Sequence, residues 1–162
     1  MGAGREQVLE LLRELNIPYQ MVAHAAVYTI DEMERLHLPQ AEWVAKNLFL
    51  RDDKKRNYYL LSLREEKRVD LKALRTTLGS RPLTFASEGD LEAILGLKKG
   101  AVTPFGVLND EARRVQVLLD RDFQGRQMGV HPNENTATVW LATEDLLRVI
   151  RCHGNDVTFL EL

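Results

Sequence analysis

Trp43-Val-Ala-Lys-Asn-Leu-Phe-Leu-Arg51 and Tyr58-Tyr-Leu-Leu-Ser-Leu63 flank the charged run Asp52-Asp-Lys-Lys-Arg-Asn57. Both flanks are of strand length and rich in aromatic and aliphatic residues. The run between them is polar throughout and closes on an asparagine. That pattern predicts a β-hairpin. One residue inside it breaks the rule: Lys46 shares an alternating face with Val44, Leu48 and Leu50. A lysine on the apolar face of a strand is costly unless it meets an anion or opens onto a cleft. The competing reading is a bulge, or a stem that snorkels and carries its ammonium to the surface.

Outward from the hairpin, strands and helices interleave. Upstream, Val8, Leu11, Leu12 and Leu15 fall at helical spacing among charged residues, and Asn16 and Pro18 end that helix. Tyr19 to Ala23 alternates like a short strand. Thr29-Ile-Asp-Glu32 is a capping box that opens a helix to about Leu36. Downstream, Asp70 caps a helix that Gly79 stops, and Leu83 to Ala86 is a short strand. Ser87-Glu-Gly-Asp90 opens a further helix to about Leu95. Val115 to Leu119, Thr136 to Leu141 and Val157 to Leu160 read as strands, with a helix capped by Thr143 before the last. Hairpins mixed with helical connections predict an α/β chain of the α+β type, a mixed sheet with helices packed against it.

A length of 162 residues predicts one domain spanning 1–162. Such a chain can bury a core without disulfides or metal. Cys152 is the only cysteine, so an internal disulfide is impossible. It reads as a packing residue, and a cytoplasmic location is expected. No signal-peptide core follows Met1 and no apolar run reaches the ~20 residues a bilayer span needs, so no membrane partner is expected. The net charge of −2 argues against non-specific coating of nucleic acid, DNA included. It leaves room for a grip on a few phosphates. Lys54-Lys55-Arg56 is the first candidate, although any such cluster also reads as a solvated turn.

Nucleophile and cofactor signatures are weak. His24, His37, His131 and His153 show no paired ligand spacing and there is no second thiolate, so no metal is expected. No P-loop, dinucleotide glycine pattern or Gly-x-Ser-x-Gly elbow occurs, so no cofactor is expected.

Two further segments join Lys46-Asn47 as candidates. Gly100-Ala-Val-Thr-Pro104, followed by Phe105-Gly106, combines a glycine that permits close approach with a proline that fixes the loop's end. Such a loop can aim backbone groups at a small ligand, and also reads as an ordinary helix–strand connection. Gly129-Val-His-Pro-Asn-Glu-Asn-Thr-Ala-Thr-Val-Trp140 gathers an imidazole, two amides, a carboxylate and two hydroxyls. Turn geometry needs one or two such groups. A surface turn and a binding site both remain open on residue content alone.

Together, in this order, the three segments resemble the YbaK-like aminoacyl-tRNA editing family, and within it the freestanding prolyl-tRNA deacylases of the ProXp-ala or PrdX type. The resemblance covers nearly the whole chain. The third segment is its most specific part. Lys99 is a departure, standing where close relatives would carry proline.

The resemblance implies a mixed, largely antiparallel sheet with a barrel-like core, like the editing domain of prolyl-tRNA synthetases. It implies a trans-editing hydrolase that deacylates alanine from tRNA(Pro), with prolyl-tRNA synthetase as a second expected partner. By resemblance, Lys46 meets the terminal adenosine or its phosphate, and Asn47 helps hold the substrate. Gly100 and the loop residues Ala101, Val102, Thr103, Pro104 and Phe105 position the aminoacyl group, and His131 sits beside its pocket. Gly129, Asn133, Asn135 and Thr136 are expected to bind substrate with it. Bulky neighbours that could exclude proline are Ile30, Met33, Phe49, Phe105 and Met128. Lys54, Lys55 and Arg56 are expected to touch the tRNA.

An ester is already activated, so positioning and oxyanion stabilisation suffice without a triad or metal. Attack by water with help from a ribose hydroxyl is the expected route, with His131 as base or orienting group the variant. The alternatives are removal of another amino acid, such as cysteine or serine, and a non-catalytic module that binds a tRNA end or an amino acid.

Overall fold

The computed structural model describes residues 3–162, with the Ile30 side chain left out of the description. The elements run α1 (Arg5–Glu14), β1 (Gln20–Ala23), α2 (Ile30–Arg35), β2 (Ala45–Asp52), β3 (Tyr58–Arg64), α3 (Leu71–Leu78) and β4 (Leu83–Phe85). Then come α4 (Glu88–Asp90, continuing as a π-helical stretch over Leu91–Leu95), β5 (Val115–Asp120), β6 (Gln127–Val130), β7 (Ala137–Ala142), α5 (Thr143–His153) and β8 (Val157–Leu160).

The central hairpin forms as the sequence predicts, in register from Ala45 opposite Arg64 to Arg51 opposite Tyr58. Its turn is organised by Asp52, which is fully buried. The Asp52 carboxylate accepts from the Arg56 N–H at 2.9 Å, the Lys54 N–H at 3.1 Å and the Asn57 amide at 2.8 Å. Burial pushes its pKa up, and these hydrogen bonds outweigh that and hold it below the usual carboxylate value.

Two sheets result. The five-stranded one has order β4-β2-β3-β5-β8, with β2 antiparallel to β3 and β4, and with β3–β5 and β5–β8 parallel. The three-stranded one, β1-β7-β6, is antiparallel throughout. A single bridge between Val44 and Gly129 joins them, so among the described residues the barrel-like arrangement is two open sheets and not a closed cylinder.

Alternation along the central strands feeds two cores. Phe49, Leu60, Val117 and Leu119 pack with Met128, Val139 and Leu141 of the smaller sheet and with Val8 and Leu12 of α1. Leu50, Leu61, Leu63 and Leu118 point the other way, under Leu74 of α3. The central strands are buried on both faces, which is why β3 reads as a near-continuous apolar run.

Three local expectations change. Gln127–Val130 is a strand that sequence reading passes over, because it is four residues long and contains a glycine. Thr143 is the first residue of α5, not its cap: Ala142 occupies the cap position, and the buried Thr143 hydroxyl has no partner among the described residues. The helix expected from Ser87 keeps its Ser87 cap, whose hydroxyl accepts from the Asp90 N–H at 3.0 Å, but widens into the π-helical stretch.

Candidate active site

Where β2 begins, beside the bridge between the sheets, lies a cavity of about 240 Å³. It is lined by Lys46 and Asn47 of β2, Gly100 and Val102 of the glycine loop, and Val130 and His131 at the end of β6. Met33 of α2 and the Val27–Thr29 segment close another side, and Val44 and Ala45 complete the wall. All three segments singled out in the sequence therefore contribute to one cavity. A larger cavity, about 680 Å³, lies by Glu92, Asn109, Glu111 and Arg114, and contains none of them. The smaller one is where the chemistry gathers, so size is a poor guide here.

Lys46 resolves the conflict noted in the hairpin. Near the strand's start its ammonium donates to the Lys67 carbonyl, and the side chain is half-buried on the cavity wall. Of its three N–H donors one is engaged among the described residues. The next residue, Asn47, also lines the cavity and is fixed by the fully buried Ser62 across the ladder, whose hydroxyl donates to the Asn47 Oδ1 at 2.5 Å. Ser62 is a support that sequence reading missed, and its place opposite Asn47 is visible only once the register is known.

His131 is held by its neighbours on both sides. Its Nδ1 lies 2.8 Å from the Ala137 carbonyl, which can only accept, so Nδ1 carries the proton. The Thr103 hydroxyl donates to the His131 carbonyl at 2.6 Å, tying the glycine loop to this segment. Burial lowers the His131 pKa; the hydrogen bond to Ala137 raises it, and the nearby His24 lowers it again, for a net fall below the usual imidazole value. At neutral pH the ring is therefore uncharged, with Nε2 unprotonated and able to accept. His24 was not singled out in the sequence. Its ring centre lies 6.1 Å from that of His131, and its Nε2 meets the buried Thr138 hydroxyl at 2.9 Å.

Gly100 has φ +89°, in the region that favours glycine. A Cβ there would stand 2.7 Å from Cδ1 of Tyr28 and 3.3 Å from the Val27 carbonyl oxygen. Gly129 is required for a different reason: its Cβ would come within 3.0 Å of both Trp140 and Val44, at the bridge that joins the sheets.

Much of the polarity of the Gly129–Trp140 segment is spent inside the protein. The Asn133 amide donates to the carbonyls of Ala3 at 2.8 Å and Phe105 at 3.3 Å. The Asn135 amide donates to the Val27 carbonyl at 2.7 Å. Thr136 donates to Glu134 at 2.8 Å, and Glu134 pairs with Arg5 at 3.1 Å. Asn133, Asn135 and Thr136, expected at the substrate, are braces in this structure, and Gly129, Ala101, Thr103 and Pro104 are buried without lining the cavity. The bulky wall expected from Phe49, Phe105 and Met128 is also corrected. All three are buried in the main core, Phe49 stacked on Tyr58, because the alternation of β2 and of β6 and the short helical turn that starts at Pro104 aim them inward. Met33 does line the cavity, and Ile30 falls outside the described side chains.

The basic turn lies far from this site. Rising ~3.3 Å per residue, β2 carries Asp52 roughly 20 Å from Lys46, so Lys54, Lys55 and Arg56 stand at the far end of the sheet. Among the described residues, no helix is long and apolar enough to cross a membrane.

Two open sheets thus meet beside a small, largely aliphatic cavity whose lining includes one lysine, one asparagine and one imidazole. A family model for the aminoacyl-tRNA editing domain matches residues 24–149. The chain belongs to that family. It is 45% identical over 160 residues to the prolyl-tRNA editing protein ProX of Acetoanaerobium sticklandii, covering 98% of each chain. It is 36% identical to the prolyl-tRNA synthetase associated domain-containing protein 1 of Mus musculus, again over 98% of each. A crystal structure described as a proposed trans-editing enzyme for prolyl tRNA synthetase superposes with a TM-score of 0.72 at 22% identity, over 98% of this chain and 95% of that one, which establishes the shared fold.

Proposed function

We propose that this protein is an aminoacyl-tRNA deacylase that acts in trans on mischarged tRNA(Pro) and removes alanine by ester hydrolysis. The observation that carries this reading is the meeting of Lys46, Asn47, Gly100 and His131 in one cavity of about 240 Å³. The 45% identity to a prolyl-tRNA editing protein supplies the substrate class.

The cavity's apolar wall is Val27, Val44, Val102, Val130 and Met33. Four of the five are β-branched and stiff at χ1, which suits a pocket that rejects by shape. A synthetase selective for proline discriminates poorly against a smaller substrate, since each missing methylene is worth only ~1–3 kcal/mol. A second site too small for the proline ring admits alanine and leaves correctly charged tRNA intact.

Chemistry follows from positioning. Lys46 supplies positive charge for the phosphate or ribose of the terminal nucleotide. The neutral His131 offers Nε2 as an acceptor for a water or a ribose hydroxyl, and that hydroxyl in turn orients the attacking water. Thr29, on the cavity wall, is engaged as the cap of α2, accepting from the Glu32 N–H at 3.1 Å and donating to the Glu32 carboxylate at 3.3 Å.

Purified protein is incubated with a panel of tRNAs charged with alanine, cysteine, serine or proline. Alanine is released from tRNA(Pro) and proline is retained. Release of cysteine or serine but not alanine changes the substrate, and binding without any release makes the protein a non-catalytic module.

A further inference from the structure

Three large apolar or aromatic side chains are exposed among the described residues: Tyr28, Phe85 and Leu162. Phe85 is on the edge strand β4 and Leu162 ends the chain, both away from the cavity. Tyr28 is 62% exposed and stands on the cavity's rim. An aromatic ring left in water beside a polar site calls for a partner when the site fills.

The ring is mounted and does not dangle. Its Cδ1 and Cε1 edge lies against the bare Cα of Gly100, where any side chain would collide with it. Both chain neighbours are fixed. Val27 is buried, with its carbonyl accepting from Asn135 at 2.7 Å, and Thr29 caps α2 through the Glu32 N–H. Held by one edge at a glycine, with fixed backbone on either side, the ring presents open π-surface to the solvent. Ordering it against a ligand therefore sacrifices little conformational freedom.

We infer that Tyr28 is the platform on which the 3′-terminal adenine of the substrate stacks. This rests on the deacylase reading. In an aminoacyl-tRNA the base is joined to the aminoacyl ester through one ribose. With the ester among the valines and the ribose or phosphate near Lys46, the base emerges at the rim where Tyr28 stands. The aminoacyl group itself is the wrong partner, because a single methyl covers little of an exposed ring. Stacking uses the π-face and not the hydroxyl, so phenylalanine serves as well as tyrosine. Asn135 thereby acquires a role as a positioning residue that holds the platform through Val27, in place of direct substrate contact.

The test uses an uncharged RNA hairpin with the tRNA(Pro) acceptor stem and 2-aminopurine as its last base. Fluorescence falls on stacking, with no hydrolysis required. Wild type and Tyr28→Phe quench the probe. Tyr28→Leu, at a position too exposed to threaten folding, loses the quench and weakens binding by about 5- to 150-fold, the range for loss of one base–aromatic stack. In deacylation the same variant raises KM more than it lowers kcat. Quenching by Tyr28→Leu equal to wild type overturns the inference, as does a wild-type protein that leaves the probe unquenched. A Tyr28→Leu variant that releases proline while still quenching the probe also overturns it, by making the ring a wall of the aminoacyl pocket. Tyr28-dependent quenching without alanine release by wild type would instead refute the deacylase reading and leave the platform standing.

Discussion

Replacing Gly100 with alanine perturbs backbone strain and cavity geometry together, and a second glycine separates the two. Gly79 follows α3 at φ +63°, and a Cβ there would meet nothing within 4 Å. Gly79→Ala thus isolates the cost of an L-residue in the left-handed region, roughly 1–2 kcal/mol. Gly100→Ala adds two contacts to a comparable backbone cost. The ring of Tyr28, 2.7 Å from the new methyl, is exposed and swings aside at little cost to stability. The Val27 carbonyl, at 3.3 Å, is backbone, and its retreat endangers the hydrogen bond from Asn135, worth about 1 kcal/mol. Gly100→Ala should therefore cost about 2–3 kcal/mol. At roughly 2–4 °C per kcal/mol for a chain of this size, its Tm falls by about 4–12 °C. The larger consequence is functional, since the methyl displaces Tyr28 from the rim. Thermal melts and initial deacylation rates are measured for both variants at one temperature, below either Tm. Gly79→Ala should keep wild-type turnover while Gly100→Ala loses most of it. Full activity in Gly100→Ala would refute the claim that close approach at Gly100 matters to the site. Equal Tm losses would refute the added contact cost.

Lys46→Met should abolish most turnover while keeping the fold, and His131→Ala should retain measurable activity if His131 positions and does not act as base. The reverse order in a rate comparison rejects substrate-assisted attack. His131 also sets a pH dependence of stability. Its folded pKa lies below the unfolded value near 6.5, so the unfolded chain binds the extra proton in the window between them. Its contribution is complete above that unfolded value and is lost as pH falls through the folded one; urea midpoints for wild type and His131→Ala should converge across that window on acidification. Asp52→Ala should cost about 2–4 kcal/mol in urea melts, since two backbone N–H groups and the Asn57 amide lose their acceptor. If the basic turn touches tRNA, replacing Lys54, Lys55 and Arg56 by alanine weakens binding and flattens its salt dependence, whereas an unchanged slope of log K against log salt removes the turn from the interface.

The fold was legible in the sequence wherever one face of an element is buried or a cap has a side chain. The β2–β3 hairpin, the Asp70 cap of α3 with its Gly79 stop, and the Thr29 side-chain cap of α2 all follow from local chemistry; of the box expected at Thr29–Glu32 only that cap forms among the described residues. Legibility failed at β6, where four residues carry too little pattern, and at Thr143, where a residue of the right type lies one position inside the helix. The site divides in the same way. Lys46 stood out because a charge on an apolar strand face is locally inconsistent. Ser62, Tyr28 and His24 are locally unremarkable, and each matters through a neighbour remote in sequence: Asn47, Gly100, and Thr138 with His131, respectively.

Sequence alone was enough to identify the three segments and, through their combination, the family. Tertiary structure decided which side chains face the cavity. Composition counts the hydrogen-bonding groups in Gly129–Trp140 but not their partners. Asn133, Asn135 and Thr136 turned out to be occupied by Ala3, Phe105, Val27 and Glu134, and only His131 of that polar cluster reaches the cavity. Likewise Phe49 and Met128 were bulky enough to shape a pocket, yet strand alternation turned them into the core and left the wall to valines. Such outcomes depend on register and on the crossing of two sheets at Val44 and Gly129, and those contacts are non-local: no window of sequence contains both partners.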